Sequence, residues 1–489
     1  MNSGATAALA WGFLGTARGI LSTYWRWMVR DDGGVNNRGA MLPGYGRMLT
    51  ILAQYISTTA DPSILSASTD EGQDIGRHVD AVVNMISTRI AKAQQLPPLH
   101  TAHGLPLGCD EADSCGECST FTGTDGDLPY FSGAMEVWRG LRDLGQVYSQ
   151  QTTLSRQADG QKLVALASKL STDISASWSK SKQLAGCPPY VAGAGANKSV
   201  GLSNCTRVEG LVDEYHPTAR NDQRIGMYIR VSEPWRAFAE MAHSGYMTDE
   251  DVAAIYAYQQ QHDSLMRLGV GGGVNVNNAM FGHTAYGLAS GLIVASMLEE
   301  FLLFLFTQSH HGCTQGTWTF REKVLVDRSK TLCCFAAPAQ LTVPSVLRWG
   351  LAFKDEAKGV LALARAVPRA WFSTTGSNLT VTAALVSRQL LASGAISYSL
   401  QRKAAERTIV ASVEVGGAAC PALKQLSLRL RLPSAWGEIK SVKSGTGENW
   451  MGRVQPAKVG VAVKDVLMLG SVGLPSPAEL VGISIGFSG

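Results

Sequence analysis

"GQDIGRHVDAVVNMISTRIAKAQQL", residues 72–96, decides how the chain up to about residue 310 is read. Ile75, Val79, Val82, Val83, Ile86 and Ile90 recur at steps of three and four, so a helix here has one apolar face. Pro97-Pro98 closes it. The same texture extends on both sides. "WGFLGTARGILSTYWRWMVR" (11–30) stops at Asp31-Asp32-Gly33-Gly34, and "YGRMLTILAQYIS" (45–57) follows. Further helices fit "SGAMEVWRGLRDLGQVYSQ" (132–150), "DGQKLVALASKLSTDISASWSKSKQL" (159–184), "SEPWRAFAEMAHSG" (232–245) and "TDEDVAAIYAYQQQHDSLMRL" (248–268). With the apolar run Ala279–Phe306 this predicts eight helices, joined by loops rich in Gly, Pro and Asp.

That apolar run is read as one helix buried in a large core. His283 divides its first half and Glu299-Glu300 interrupt the second. The uncharged segment Thr284–Leu298 has 15 residues, fewer than the roughly 20 that span a bilayer. No membrane span is expected.

After residue 320 the segments become short and rich in Val and Leu: "EKVLVD", "SVLRWGLAFKD", "KGVLALARAV", "RTIVASVEV", "KQLSLRLRLP" and "AKVGVAVKDV". In "LSLRLRL", Leu426, Leu428, Leu430 and Leu432 share one face, and Ser427, Arg429 and Arg431 share the other. The pattern predicts a half-buried antiparallel strand, and such strands hide their apolar sides by packing face to face. The fold class is therefore α+β, with a helical domain over residues 1–325 and an antiparallel β-sandwich over 326–489.

Composition narrows the function classes. A net charge of +4, with Lys and Arg scattered rather than striped, argues against nucleic acid as a partner. Nine cysteines leave at least one unpaired within the chain. Three Asn-x-Ser/Thr sites, at Asn197, Asn204 and Asn378, point weakly to a secreted or lysosomal compartment. The first 21 residues are apolar, but they lack a basic start and Arg18 interrupts them, so they do not read as a secretory leader.

The most charged short stretch is "GLPLGCDEADSCGECSTF" (104–121), with Asp110, Glu111 and Asp113 among Cys109, Cys115 and Cys118. Asp110 and Asp113 have the spacing of a helix cap. Cys115-Gly-Glu-Cys118 has zinc-like spacing, but no second pair lies at a partner distance, so no metal is assigned. A Cys115–Cys118 or Cys109–Cys115 disulfide is the other reading, in an oxidising compartment. Elsewhere acids stand beside aromatic rings. Examples are Glu136 with Trp138 and Arg139, Glu233 and Glu240 with Trp235 and Arg236, and Glu322 after His310, His311 and Trp318. Flat rings cover the C–H faces of a pyranose while Asp, Glu, Arg and His bond its hydroxyls, so the pattern suits a sugar site. Two carboxylates then suffice for cleavage, one protonating the leaving oxygen and the other activating water. Such aromatics at helical spacing also serve as core. "GVGGGV" (269–274) lacks the strand and the Lys-Ser/Thr of a phosphate loop.

The order of phrases resembles the six-hairpin, (α/α)6-barrel glycosidase-like proteins, a group that includes α-L-rhamnosidase-type enzymes. The phrases are "RDDGGVNNRG", "PGYGRMLTILAQY", "GCDEADSC", "LPYFSGAMEVWRGLRDLG", "EPWRAFAEMAHSGYM", "EEFLLFLFTQSHHGCTQGTWTFRE" and "LTVPSVLRWGLAFKD", between about residues 30 and 355. The resemblance implies a helical toroid followed by a β domain. Eight helices are fewer than the twelve that close such a barrel, which implies helices hidden in glycine-rich loops or an incomplete N-terminal side. It also implies a pocket formed by acids on loops at one end, here Asp31, Asp32, Asp110, Glu111, Asp113 and Glu322. The chain departs from the pattern at Gln315, where a basic residue is common, and at Phe320-Arg321, where Ala-Pro is common.

The expectation is thus a carbohydrate-active protein without a cofactor, a glycoside hydrolase that inverts. Glu322 is the expected general base, and Glu111 or Asp113 the general acid, with Asp110 beside them. Trp138, Trp235 and Trp318 are candidate stacking rings. Arg30, Asp31, Asp32, Arg236 and His310 are candidate hydroxyl partners. The competing expectation is a non-catalytic sugar-binding or scaffold protein, whose acids bond backbone N–H groups or Arg. A polysaccharide lyase or sugar epimerase comes third.

Overall fold

The computed structural model describes residues 2–35, 41–67, 74–96, 98, 103–108, 128–151, 154–185, 234–262, 279–282, 286–314, 316–317, 319–325, 331–335, 337–355, 360–373, 378–383, 396–403, 408–415, 425–429, 439–444, 454–455, 468–469 and 481–487. Its helices are α1 (Asn2–Ala10), α2 (Leu14–Trp27), α3 (Leu42–Thr59), α4 (Ile75–Ala93), α5 (Phe131–Gln150) and α6 (Gln157–Ala185). They continue with α7 (Pro234–Ser244), α8 (Asp249–His262), α9 (Tyr286–Val294), α10 (Leu298–Thr307) and α11 (Ala337–Leu351). Helix α4 illustrates the local physics. The Asp74 side chain accepts from the Arg77 amide at 2.8 Å, which caps the first turn. Ile75, Val79, Val82, Ile86 and Ile90 then fall on its buried face.

The predicted helix over 279–306 is instead a strand, β3 (Ala279–Phe281), and two helices. Ser296, at φ 61°, takes the left-handed conformation that ends α9. Glu299 and Glu300 open α10, where the helix dipole favours acids. No described helix is long and apolar enough to cross a membrane.

Helix α1 packs on α3, α3 on α5, α5 on α7, α7 on α9, α9 on α11, and α11 returns to α1. Four of the even helices pack on this set, α2 on α1 and α3, α6 on α5, α8 on α9, and α10 on α9 and α11, while α4 packs on α2. Glycine contacts give the directions. Gly133 faces Leu42 and Gly140 faces Leu49, so α3 and α5 run parallel. Gly287 faces Ala239 and Gly291 faces Ala242, so α7 and α9 are parallel too. Gly145 faces Val164 and Gly160 faces Ser149, so α6 runs back along α5. The α3–α5 crossing needs glycine: a Cβ on Gly46 would lie 2.2 Å from the Glu136 carbonyl carbon. Helix α3 is buried on nearly every side.

Connections from odd to even helices are mostly short, over residues 11–13, 151–156, 245–248 and 295–297. Those from even to odd helices are longer: 28–41, 94–130, 186–233, 263–285 and 308–336. Short connections join antiparallel neighbours. The long segments therefore attach at the N-terminal ends of α3, α5, α7, α9 and α11.

The expected domain boundary after residue 325 falls before α11, and α11 packs on α1, α9 and α10. "SVLRWGLAFKD" accordingly divides between the end of α11 and a strand, β6 (Ala352–Asp355). A small antiparallel sheet of β3, β4 (Arg321–Leu325) and β5 (Thr331–Phe335) precedes α11. After it come β7 (Val360–Leu363), β8 (Asn378–Ala383), β9 (Ile396–Lys403), β10 (Thr408–Val415), β11 (Gln425–Leu428) and β12 (Ile439–Ser444). The last strands are β13 (Val454–Gln455), β14 (Met468–Leu469) and β15 (Val481–Phe487). Strands β12, β15, β10, β9 and β8 form a five-stranded antiparallel sheet in that order. Tyr398, Leu400, Ile409 and Ala411 give it one buried face at period two.

Strand β11 corrects the sequence reading. It pairs parallel with β7, Leu426 opposite Leu361 and Leu428 opposite Leu363, not antiparallel. Ser427, Leu428 and Arg429 are all buried, at 3%, 1% and 5% exposure, so neither face is a solvent face. A strand covered on both sides is the usual setting for parallel pairing. Arg429 is accommodated by donating to the Ser296 hydroxyl at 3.2 Å. The segment "AKVGVAVKDV" lies outside the described residues.

Candidate functional site

The segment between α2 and α3 holds a well-defined turn. The Arg30 amide donates to Gly34 O at 2.8 Å, and the Gly33 amide donates to Arg30 O at 2.9 Å. Gly33 sits at φ 80°, and a Cβ there would be 2.3 Å from Ala81 O on α4. Only glycine allows this approach. It presses Asp31 and Asp32 against α4, and both line a cleft of 650 Å³ with Arg77, Asp80, Asn84 and Arg89. That volume suits a small ligand, and the charged side chains of the lining stand among apolar surface that includes Ala81 and Met85.

Both acids have partners. Asp32 accepts from Arg30 Nε and Nη2 at 3.2 Å each and from the Gly34 amide at 2.8 Å. The Arg30 bonds first, then the Gly34 amide, hold its carboxyl below the usual range. Asp31 Oδ1 lies 3.5 Å from His78 Nε2, and His78 Nδ1 lies 2.7 Å from Trp25 O. Across the cleft, Arg89 donates to Leu107 O at 2.7 Å, which ties α4 to β1 (Leu107–Gly108). Strand β1 pairs with β2 (Leu128–Pro129), Gly108 opposite Leu128. Both ends of segment 109–127 are therefore held side by side next to the cleft. Asp110, Glu111 and Asp113, and the cysteines around them, lie in that segment, outside the described residues.

A buried ionic cluster joins α3, α5, α7 and α9. Arg47 Nε of α3 donates to Glu136 Oε1 of α5 at 3.1 Å, and Arg47 Nη2 lies 3.4 Å from Glu240 Oε1 of α7. Arg47 Nη1 also reaches the Tyr286 hydroxyl of α9 at 3.2 Å. His243 Nδ1 of α7 stands 2.7 Å from the same Glu136 oxygen, and Arg139 of α5 donates to the His243 carbonyl. Burial alone would raise the Glu136 carboxyl. The adjacent His243 and Arg47 outweigh it and hold it at about 2. Burial lowers the His243 imidazole to about 4, against the pull of Glu136. At neutral pH the cluster therefore holds an ionised Glu136 and a neutral His243 that donates to it.

The other predicted residues are dispersed. Glu322 is half-buried on β4, and its carbonyl accepts from the Gly282 amide at 3.2 Å. Trp138 is half-buried on α5 with the Arg142 guanidinium 4.4 Å above its ring and Tyr246 edge-on at 4.9 Å. Trp235 and Arg236 occupy the first turn of α7. His310 is exposed in a π-helical turn and stacks on Phe306 at 5.2 Å. Trp318 lies outside the described residues. The cleft thus brings Asp31 and Asp32 together, with Arg30 bonded to Asp32. Sequence reasoning noted Glu136 and Glu240 beside aromatics but missed their junction through Arg47, His243 and Tyr286. The available signal was Arg47, a lone charge inside the apolar run "YGRMLTILAQY".

No protein-family model matches the chain, and no curated protein does. Among solved structures it is similar to an α-L-rhamnosidase of Streptomyces avermitilis complexed with L-rhamnose, at 12% identity and a TM-score of 0.47. The match covers 99% of this chain and 37% of that one, so the chain spans little more than a third of that protein's length.

Proposed function

We propose that the chain is a carbohydrate-active protein and a glycoside hydrolase, with α1, α3, α5, α7, α9 and α11 as the inner ring of an (α/α)6-type toroid and a β domain behind it. One observation carries this reading. The long segments all precede odd helices, so in this reading Asp31 and Asp32, the 110–113 acids and Glu322 would meet at one end of the ring. Asp31 and Asp32 line a cleft along α4, and β1 and β2, which flank the 109–127 segment, are fastened beside it. In the proposed reaction Glu322 activates water while Glu111 or Asp113 protonates the leaving oxygen. Inversion requires these carboxyls to stand about 6.5–9.5 Å apart. Arg30, Arg236 and His310 would bond hydroxyls, and Trp235 and Trp318 would stack on the ring.

A second reading has its own support. Asp32 is held by Arg30 and a backbone amide, the arrangement expected of a sugar-binding or scaffold protein. A screen of aryl glycosides with the purified chain and with Glu322→Gln decides between them. Turnover lost in Glu322→Gln with sugar binding retained supports the hydrolase, and unchanged turnover removes Glu322 from the mechanism. Binding of a sugar by the unaltered chain, with no turnover of any glycoside, favours the second reading.

A further inference from the structure

We propose that the cleft along α4 takes an uncharged disaccharide, held by Asp31, Arg77 and Asn84. The inference rests on the carbohydrate-active reading and names the ligand of that same site. Most polar groups along the cleft are already engaged. Asp32 accepts from Arg30 and the Gly34 amide, and Asp80 pairs with Arg156. Arg89 donates to Leu107 O, and Lys92 has a partner of its own. Three groups are left. Arg77 and Asn84 are exposed, and among the described residues their side chains have no hydrogen-bond or ionic partner. Asp31 is met from its buried side, where His78 Nε2 stands 3.5 Å from Oδ1, which leaves Oδ2 for a ligand.

Arg77 is the clearest sign. It stands in the first turn of α4, just after the Asp74 cap, where the helix dipole opposes a cation. Asp80, the acid one turn on, is taken by Arg156. An exposed guanidinium that supports neither its helix nor a neighbour is available to a ligand, and its fork of donors can serve adjacent hydroxyls. Arg77 and Asn84 lie two turns apart on one side of α4, about 10 Å along its axis. Gly33 presses against Ala81 between them, which brings the Asp31 turn to the middle of that stripe. The span and the 650 Å³ volume fit a disaccharide. Asp31 accepts from hydroxyls, Arg77 and Asn84 donate to them, and Ala81 and Met85 cover C–H faces. One carboxylate and one guanidinium cancel, so an uncharged ligand leaves no charge without its counterpart.

Titration calorimetry on the full chain tests this, with cellobiose, maltose and lactose as neutral probes and cellobiouronic acid as the charged one. A neutral disaccharide should bind, and Asp31→Asn, Arg77→Met and Asn84→Ala should each weaken it about tenfold or more. Arg77 and Asn84 are exposed, so their variants should keep the fold, which thermal melting checks. Binding unaltered in Arg77→Met and Asn84→Ala puts the sugar elsewhere; it overturns this inference and leaves the carbohydrate-active reading standing. Tighter binding of cellobiouronic acid than of cellobiose overturns the assignment of an uncharged ligand. No binding of any probe overturns the inference, and turnover of an aryl glycoside by the same chain would then confine the failure to it.

Discussion

Two Arg–carboxylate pairs in this molecule have nearly the same length. Arg47 and Glu136 meet at 3.1 Å with side chains 9% and 0% exposed, and Arg30 and Asp32 meet at 3.2 Å with side chains 52% and 66% exposed. The difference is solvent. In the buried cluster, neither charge can be hydrated if its partner leaves, so the pair binds helices together. At the exposed turn, water competes for both groups, and the pair can exchange partners at little cost. The same chemistry therefore serves as a fastener in one place and as a candidate ligand contact in the other.

The contrast breaks first at Glu136. Glu136→Ala leaves Arg47 buried without its main partner, and urea unfolding should show a loss of about 3–5 kcal/mol. A loss below 1 kcal/mol would mean that water reaches the buried cluster. Acid is the next lever. Lowering His243 from 6.5 to about 4 corresponds to roughly 3 kcal/mol of stability that disappears as pH falls across that interval. Glu136 acts lower: its depressed folded value gives stability that is present above 4.5 and is lost progressively as pH falls from there toward about 2. Unfolding free energy measured from pH 8 to pH 3 should therefore decline first below 6.5, with a smaller slope in His243→Gln.

Packing supplies a third test. Gly46→Ala pushes a methyl group into the Glu136 backbone, and the expected cost is about 1–3 kcal/mol by thermal or urea denaturation. A neutral outcome would show that α3 and α5 separate easily and that the buried cluster is loosely held. The smallest effect belongs to the exposed pair. Arg30→Ala should change stability by about half a kcal/mol or less. It should also raise the Asp32 titration toward its ordinary value, which carboxyl NMR would follow.

Legibility followed the range of the interactions. Seven of the eight expected helical stretches hold a helix and the eighth, over 279–306, divides; periodicity and caps act within a few turns, and Asp74 with its apolar stripe is the plain case. The break at Ser296 was hidden by a run that is apolar all round, where no periodicity marks a boundary. Strand β11 misled for a related reason. Alternation in "LSLRLRL" normally marks one wet face, but here Ser427 and Arg429 are as buried as Leu428, with Arg429 donating to the Ser296 hydroxyl. At the candidate site, the stop at Asp31-Asp32-Gly33-Gly34 was legible from the residues, and the place of Asp31 and Asp32 in a pocket only from the family resemblance. The buried cluster was not legible, because each member looks locally like an ordinary helix residue.

The amino-acid order by itself settled where the amphipathic helices lie, since that choice depends on neighbours three or four positions away. Tertiary structure alone decided that Arg47 meets Glu136, 89 residues on, and Tyr286, 239 residues on. No local pattern encodes those partners. They are fixed by glycine-to-backbone contacts that bring distant helices close enough to exclude water, and exclusion of water is what makes the charges choose one another.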